Sequence, residues 1–395
     1  MAEVDCPNCG HRVPEGTWCV RCGHRLAGGA RDRPGAGFAA APTERAGTPA
    51  LVSTLFPQLP RAEMDAFRVA LAVGVAGVVA LAAAGLFPVA VMAAAALVPL
   101  LTVAYVYDVD VYEDQPFRFV ALTLGWGFVT GIGMGLLANA ITTTGPDLAV
   151  DSSDPDVLLR GVLLPLAGVA LMLAGPLVLL PYRQFNDVLD GVTFGAASAA
   201  TFTALTAIAT AAPLLEGGLR PDSEALPWVA RIVTIAVGQP VLAMAAIGAA
   251  AGALWLRYRA PVHDRGALGV LGQPALAVAI AAALIVAGAI GQPVLPVGLW
   301  LVELAVLDVL ALLWLRRTIH LGLLQEAAEI EIGPEIECPN CGARTAKHSF
   351  CSSCGVALAA LPKRAGEEET GGGRTGPAEG GPLAEGGPPA EGGPS

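Results

Sequence analysis

The sequence predicts an all-α polytopic membrane protein of about eight transmembrane helices, with a small cysteine-built module at each end. Three observations predict it. Long apolar runs follow one another from Ala66 to Leu315 with short polar interruptions, and a helix needs roughly 20 such residues to cross a bilayer core. The runs consist of Ala, Val, Leu and Gly without the alternation of a barrel strand; lipid offers the backbone no water, so each run is a helix. Outside this block, eight cysteines fall into two sets of identical spacing. Composition agrees, since 54% of residues are hydrophobic and 14% charged, a balance that suits lipid.

The first cysteine set reads Cys6-Pro7-Asn8-Cys9-Gly10 and, after nine residues, Cys19-Val20-Arg21-Cys22-Gly23. Two thiolates two residues apart grip one tetrahedral ion from a tight turn, and the glycine that follows supplies the backbone freedom the turn needs. Paired knuckles make a zinc ribbon, placed at residues 1–25 with one Zn2+ on the four thiolates. A disulfide or redox pair is the competing reading; reduced cytosolic thiols and the lack of a thioredoxin-like strand–helix context argue against it. Residues 26–65, rich in Gly, Ala, Pro and Arg and without periodicity, read as a flexible linker. No cleavable signal is expected, because the chain opens polar and turns apolar only near Ala66.

The membrane domain, residues 66–315, is expected to span near Ala66–Phe87, Val89–Tyr107, Phe117–Ile141, Leu158–Leu180, Val192–Pro213, Trp228–Leu256, Ala275–Gly291 and Val294–Leu315, with very tight turns at Phe87-Pro88 and Gly291-Gln292-Pro293. Arginines cluster before the first span, after the sixth and at Arg316-Arg317 after the eighth, and Arg183 lies between the fourth and fifth. The other loops carry few, so both termini face the cytosol. Gly127, Gly131 and Gly135 give the third span a small-residue face for close packing. The loop Tyr105–Arg118 carries four carboxylates and three tyrosines, either a solvated aromatic belt or a functional edge. Thr142–Asp156 lacks the glycine turn and terminal glutamate of a calcium loop and reads as a solvated outer loop.

Intramembrane catalysis needs a metal-activated water, a carboxylate pair or a nucleophile with a base. All five histidines lie outside the spans, and Ser198, the serine within one, has no evident base. Glu303 and Asp308 are the remaining candidates on the eighth span. Ionisable groups at that depth are costly and functional by default, but five residues turn a helix through about 140° and put the two on different faces. Arg231 is a conceivable ion-pair partner for one of them.

The acidic loop ending in Pro116-Phe117-Arg118, the following Trp126-Gly127 and the later Asp190-Gly191-Val192-Thr193-Phe194-Gly195-Ala196-Ala197 resemble the PrsW family of intramembrane proteases, over roughly Tyr105 to Leu256. The resemblance implies a glutamate pair with a nearby lysine on the span before the Asp-Gly segment, a further glutamate on the next span and a histidine on a later one. At those places this chain reads Leu166-Ala167-Gly168-Val169-Ala170, Thr and Ala within Phe202–Thr206, and Gln239-Pro240. The scaffold is similar while the catalytic set is missing.

Residues 316–336 form an amphipathic connector that either extends the eighth span or lies along the membrane surface. Cys338, Cys341, Cys351 and Cys354 then repeat the first spacing in residues 337–360, and the shared Cys-Pro-Asn-Cys-Gly suggests duplication of one module. Five glutamates from Glu326 to Glu337 and Glu367–Glu369 surround the second ribbon while Arg344 and Lys347 stand alone, which argues against nucleic acid and for a protein partner. The tail, residues 361–395, repeats Ala-Glu-Gly-Gly-Pro three times and is expected to be disordered. The formal charge of −11 gathers in this tail and in loops, so it is no field over one surface. Arginine in excess of lysine, with abundant Ala, Gly and Pro, points to the codons of a GC-rich bacterial genome; the expected location is the inner membrane of a bacterium. The expected function is a non-catalytic PrsW-like scaffold or regulator, embedded in lipid, that binds protein partners through its two zinc ribbons. An active intramembrane protease and a small transporter or channel are the alternatives.

Overall fold

The computed structural model of the chain describes residues 2–26, 37–57, 59, 66–109, 117–141, 158–220, 225–260, 262, 268–269, 272–327 and 332–361. Most acids of the two expected polar loops, His263 and the repetitive tail lie outside the described residues.

Among the described residues, eight helices are long and apolar enough to cross a membrane. The membrane elements are α2 (Ala66–Ala83), α3 (Phe87–Val109), α4 (Phe117–Ile141), α5 (Leu164–Leu179), α6 (Val188–Ala211), α7 (Ala225–Val233), α8 (Gln239–Tyr258), α9 (Pro274–Val294) and α10 (Val297–Ala327). A π-helical turn at Leu159–Leu163 leads into α5, and a second, Thr234–Gly238, joins α7 to α8 as one span. Two tight turns exist but are displaced from the expected places: Phe87-Pro88 opens α3, and Gly291-Gln292-Pro293 lies inside α9. Gly85, at φ +74°, ends α2 by a left-handed cap in which the Leu86 N–H reaches back to the Leu81 carbonyl at 3.0 Å; α9 ends at Val294 and α10 starts at Val297.

The start of α6 also differs from the sequence expectation. Asp190-Gly191 lies inside α6, whose start is pulled back to Val188 by a capping box: Asp187 Oδ1 accepts from the Leu189 N–H at 2.8 Å, and Asp190 Oδ2 accepts from the Asp187 N–H at 3.2 Å. Hydropathy does not register a cap, because the capping groups are polar.

The spans holding α6 and α8 form the centre, 72% and 78% buried, where the others range from 11% to 56%. Small residues bring their backbones together. A Cβ at Gly195 would meet the Ile247 carbonyl and Ala251, and one at Gly252 would meet Val192. The glycine face of α4 packs on α6 as expected: side chains at Gly127, Gly131 and Gly135 would strike Thr201, the Phe202 backbone and Ala209 in turn. Ser198 donates to the Met172 carbonyl at 2.8 Å, a packing bond between α6 and α5.

The two chain ends build near-copies of one hairpin module. Strands β1 (Glu3–Asp5) and β2 (Arg12–Pro14) pair antiparallel with Glu3 opposite Pro14. Far along the chain, β5 (Glu335–Glu337) and β6 (Arg344–Ala346) pair with Glu335 opposite Ala346, the same register carried to equivalent positions. The stretch read as a linker also carries structure: β3 (Gly37–Phe38) and β4 (Ala41–Arg45) form a hairpin, followed by α1 (Leu51–Leu55). Its residues Phe38, Ala39, Ala40, Leu55 and Phe56 are buried. α10 continues unbroken to Ala327, so the connector extends the last span. Backbone hydrogen bonds between the two cysteine modules hold them together at one place beside the bundle.

Candidate metal centres and a membrane cavity

Each module gathers four sulfurs. Cys6, Cys9, Cys19 and Cys22 form one group and Cys338, Cys341, Cys351 and Cys354 the other, with the ligand atoms of each within 4.8 Å of one another. Cys6 Sγ lies 3.6 Å from Cys22 Sγ and Cys9 Sγ 3.9 Å from Cys19 Sγ; the second module repeats this with 3.9 Å from Cys338 to Cys354 and 3.8 Å from Cys341 to Cys351. All eight thiols are free. These separations exclude disulfides and equal the edge of a sulfur tetrahedron, about 3.8 Å for ligands about 2.3 Å from a central ion. Each group could thus hold a metal ion such as zinc. The glycine after each knuckle, Gly10, Gly23, Gly342 and Gly355, has φ between +66° and +74°, a conformation that L side chains rarely adopt.

Asparagines add a contact that spacing alone did not single out. The Asn8 amide donates to Cys22 Sγ at 3.5 Å and the Asn340 amide to Cys354 Sγ at 3.5 Å. Both come from the shared Cys-Pro-Asn-Cys-Gly, which is where a signal for them lies. Burial pushes Cys9 and Cys338 up to about 11. Within each closing knuckle the contact between the two sulfurs holds one thiol down, Cys22 to about 5 in the first module and Cys351 to about 4 in the second, and raises its neighbour. An arriving cation must displace the protons that remain, so binding strengthens as pH rises.

The modules also bind each other. The Trp18 N–H donates to the Ser352 carbonyl at 2.9 Å, and the Phe350 N–H donates to the Val20 carbonyl at 2.9 Å. Trp18 and Phe350 are equivalent positions of the two copies, as are Val20 and Ser352, so the exchange is reciprocal and the pair has the self-complementary form of a two-fold dimer. The aromatic contacts obey the same relation: Gly23 lies under the Phe350 ring, where a Cβ would be crowded, and Gly355 under the Trp18 ring, where a Cβ would collide.

The β3–β4 hairpin ties this pair to the membrane bundle. The Ala357 N–H donates to the Ala39 carbonyl at 2.7 Å, and the Ala39 N–H donates to His320 Nδ1 at 3.1 Å on α10. One turn earlier on α10, Arg316 is 0% exposed and meets Glu44 Oε2 at 2.7 Å, the Arg45 carbonyl at 3.1 Å, Ser53 Oγ at 3.2 Å and Thr54 Oγ1 at 3.1 Å. The Phe38 ring covers its guanidinium at 3.7 Å. The arginine expected to mark a topological flank is the anchor of the linker region.

The remaining sequence candidates separate. Glu303 presses its carboxylate against Gly291 of α9, and Asp308 lies on α10 away from it; Glu303 Oε2 and Asp308 Oδ1 are buried without hydrogen-bond partners. Among the described residues no ion pair joins Arg231 to either. Arg231 instead lines a cavity of about 1170 Å³ among the helix ends opposite the cysteine modules, together with Arg160, Asn139, Gln239 and Gln292. Pro165 and Gly168, Phe202 and Thr206, and Gln239 all face this cavity, so the three stretches at which the PrsW resemblance implied acids and a histidine converge there as apolar or neutral side chains. Sequence reading missed the cavity, because its walls come from residues far apart in the chain. No family model, curated protein or solved structure matches the chain; its apolar helices and cysteine groups make it a multi-pass membrane protein with two possible zinc-binding modules and no family assignment.

Proposed function

We propose that the protein is a non-catalytic, PrsW-like membrane scaffold whose two zinc ribbons face the cytosol of a bacterium as one paired platform for a protein partner. The observation that carries this reading is the reciprocal pairing of the ribbons and their attachment, through Ala39, to His320 on α10. Ribbons that served only to cap loose ends would need no such joint. Here an event at the platform bears on a membrane helix, as a regulator requires. The convergence of the three neutral stretches on one cavity supports the PrsW likeness of the scaffold and the loss of its chemistry. The basic flanks of the spans support the cytosolic orientation.

The test compares membrane-protein cleavage fragments in cells carrying the wild-type chain, no chain, or the chain with Glu303→Gln and Asp308→Asn. Identical fragments in all three are expected. Fragments that vanish in both the deletion and the double variant would overturn the reading and make the protein an intramembrane protease.

A further inference from the structure

We propose that His320 is an acid-sensitive latch: with its imidazole neutral it holds the β3–β4 hairpin and the second ribbon on α10, and on protonation it lets them go. The joint runs through one residue. Ala39 donates its N–H to His320 Nδ1 at 3.1 Å and accepts the Ala357 N–H on its carbonyl at 2.7 Å, so a single peptide segment connects α10 to the second ribbon. A backbone N–H can only donate, so Nδ1 carries a lone pair here and the proton of the ring sits on Nε2. An imidazolium has hydrogens on both nitrogens. Its Nδ1–H would face the Ala39 N–H, donor against donor.

The surroundings add charge to this conflict. His320 is 3% exposed, and Arg316 lies one turn earlier on the same face of α10, its guanidinium under the Phe38 ring that also stands against His320, with centroids 6.5 Å apart. Like charges four residues apart on a helix repel, and burial strengthens the repulsion. Among the described residues, the other cations on the elements packed around this end of α10 are Arg317, Arg45 of the hairpin, and Arg257 and Arg259 beside Tyr258 at the end of α8. The carboxylates there are engaged: Glu44 meets Arg316 at 2.7 Å, Glu326 accepts the Val188 N–H at 2.7 Å, and Asp187 and Asp190 cap α6. The released state binds one more proton than the docked state, so docking weakens as pH falls. A free imidazole takes up its proton at about pH 6.5, so the loss sets in below that value and grows about tenfold per pH unit. The latch gives the joint of the scaffold reading a signal, the proton; its test uses neither cleavage fragments nor a partner, so the two fail separately.

The test is amide hydrogen exchange across Gly37–Arg45 in the full-length chain in detergent, at about pH 7.5 and about pH 5.5, expressed as protection factors so that the intrinsic effect of pH on exchange is removed. The wild type is expected to lose about tenfold in protection between the two. His320→Asn, whose side-chain oxygen accepts a hydrogen bond and does not titrate, should keep its protection at both values. His320→Leu, with no acceptor, should already be about tenfold less protected at the higher pH. Equal protection of the wild type at both values would overturn the proposal, and so would an equal loss in His320→Asn, because the acid would then be acting on the ribbons or on Glu44. Independently of any variant, the ring signals of isotope-labelled histidine in the wild type follow the protonation of His320; they should titrate together with the loss of protection. A ring that stays neutral at about pH 5, or that titrates with no loss of protection, also overturns the latch.

Discussion

Arg316 has no solvent exposure, and its nearest charge, Glu44, lies 272 positions away in sequence. Burying a guanidinium is tolerated because a carboxylate, a carbonyl, two hydroxyls and an aromatic face surround it. Removing one partner of such a pair leaves a charge without compensation, which costs about 3 kcal/mol. Glu44→Gln keeps the volume and deletes the charge, so the hairpin should release from α10 while the membrane bundle stays folded. Amide hydrogen exchange across residues 37–57 is expected to accelerate about 100-fold at neutral pH; unchanged protection would mean that the hairpin is held by Phe38 and Ala39 alone. The two four-cysteine groups were legible at this scale because their knuckles are local in sequence. Arg316 was not, since nothing in its neighbours distinguishes a buried arginine from a flanking one.

At the scale of elements, α4 and α6 pack backbone to backbone. A Cβ at Gly131 would lie 2.6 Å from the Phe202 carbonyl oxygen and 3.0 Å from its Cα, neither of which yields as a side-chain tip does. Gly133, two residues on, has nothing within 4 Å. Gly131→Ala should therefore destabilise the bundle by about 2 kcal/mol through overpacking, and Gly133→Ala should leave it unchanged or slightly firmer through helix propensity. Thermal unfolding of the two purified variants in one detergent separates them; equal melting would refute close packing on this face. The four-residue spacing made the face visible in the sequence, while the partner helix emerged only from the fold. The start of α6 was misjudged for a related reason, because Asp187 and Asp190 bond to backbone N–H groups that a hydropathy profile does not see.

At the scale of the whole molecule, the two ribbons are joined by a reciprocal pair of backbone hydrogen bonds and two ring-on-glycine contacts. Metal binding folds a module of this type, so ordering one ribbon presents the other with a formed partner surface. Cys6→Ser with Cys9→Ser should abolish zinc at the first site and weaken zinc at the intact second site by about tenfold, the coupling expected from two net hydrogen bonds. Competitive chelator titration of wild type and variant reads this directly. An unchanged second site would mean that the modules pair without exchanging energy.

What the sequence determined by itself is what short-range chemistry controls: eight apolar helices, because a bilayer core sets their length and polarity, and two four-cysteine groups, because each ligand pair is two residues apart. The tertiary structure decided what depends on distance in the chain. It paired the two ribbons, drew a stretch read as linker onto α10, separated Arg231 from Glu303 and Asp308, and placed Arg160 and Arg231 around one cavity. Apolar periodicity says that a helix is buried on some side but not against which neighbour; that choice is made by small residues, buried polar groups and caps whose partners lie tens to hundreds of positions away.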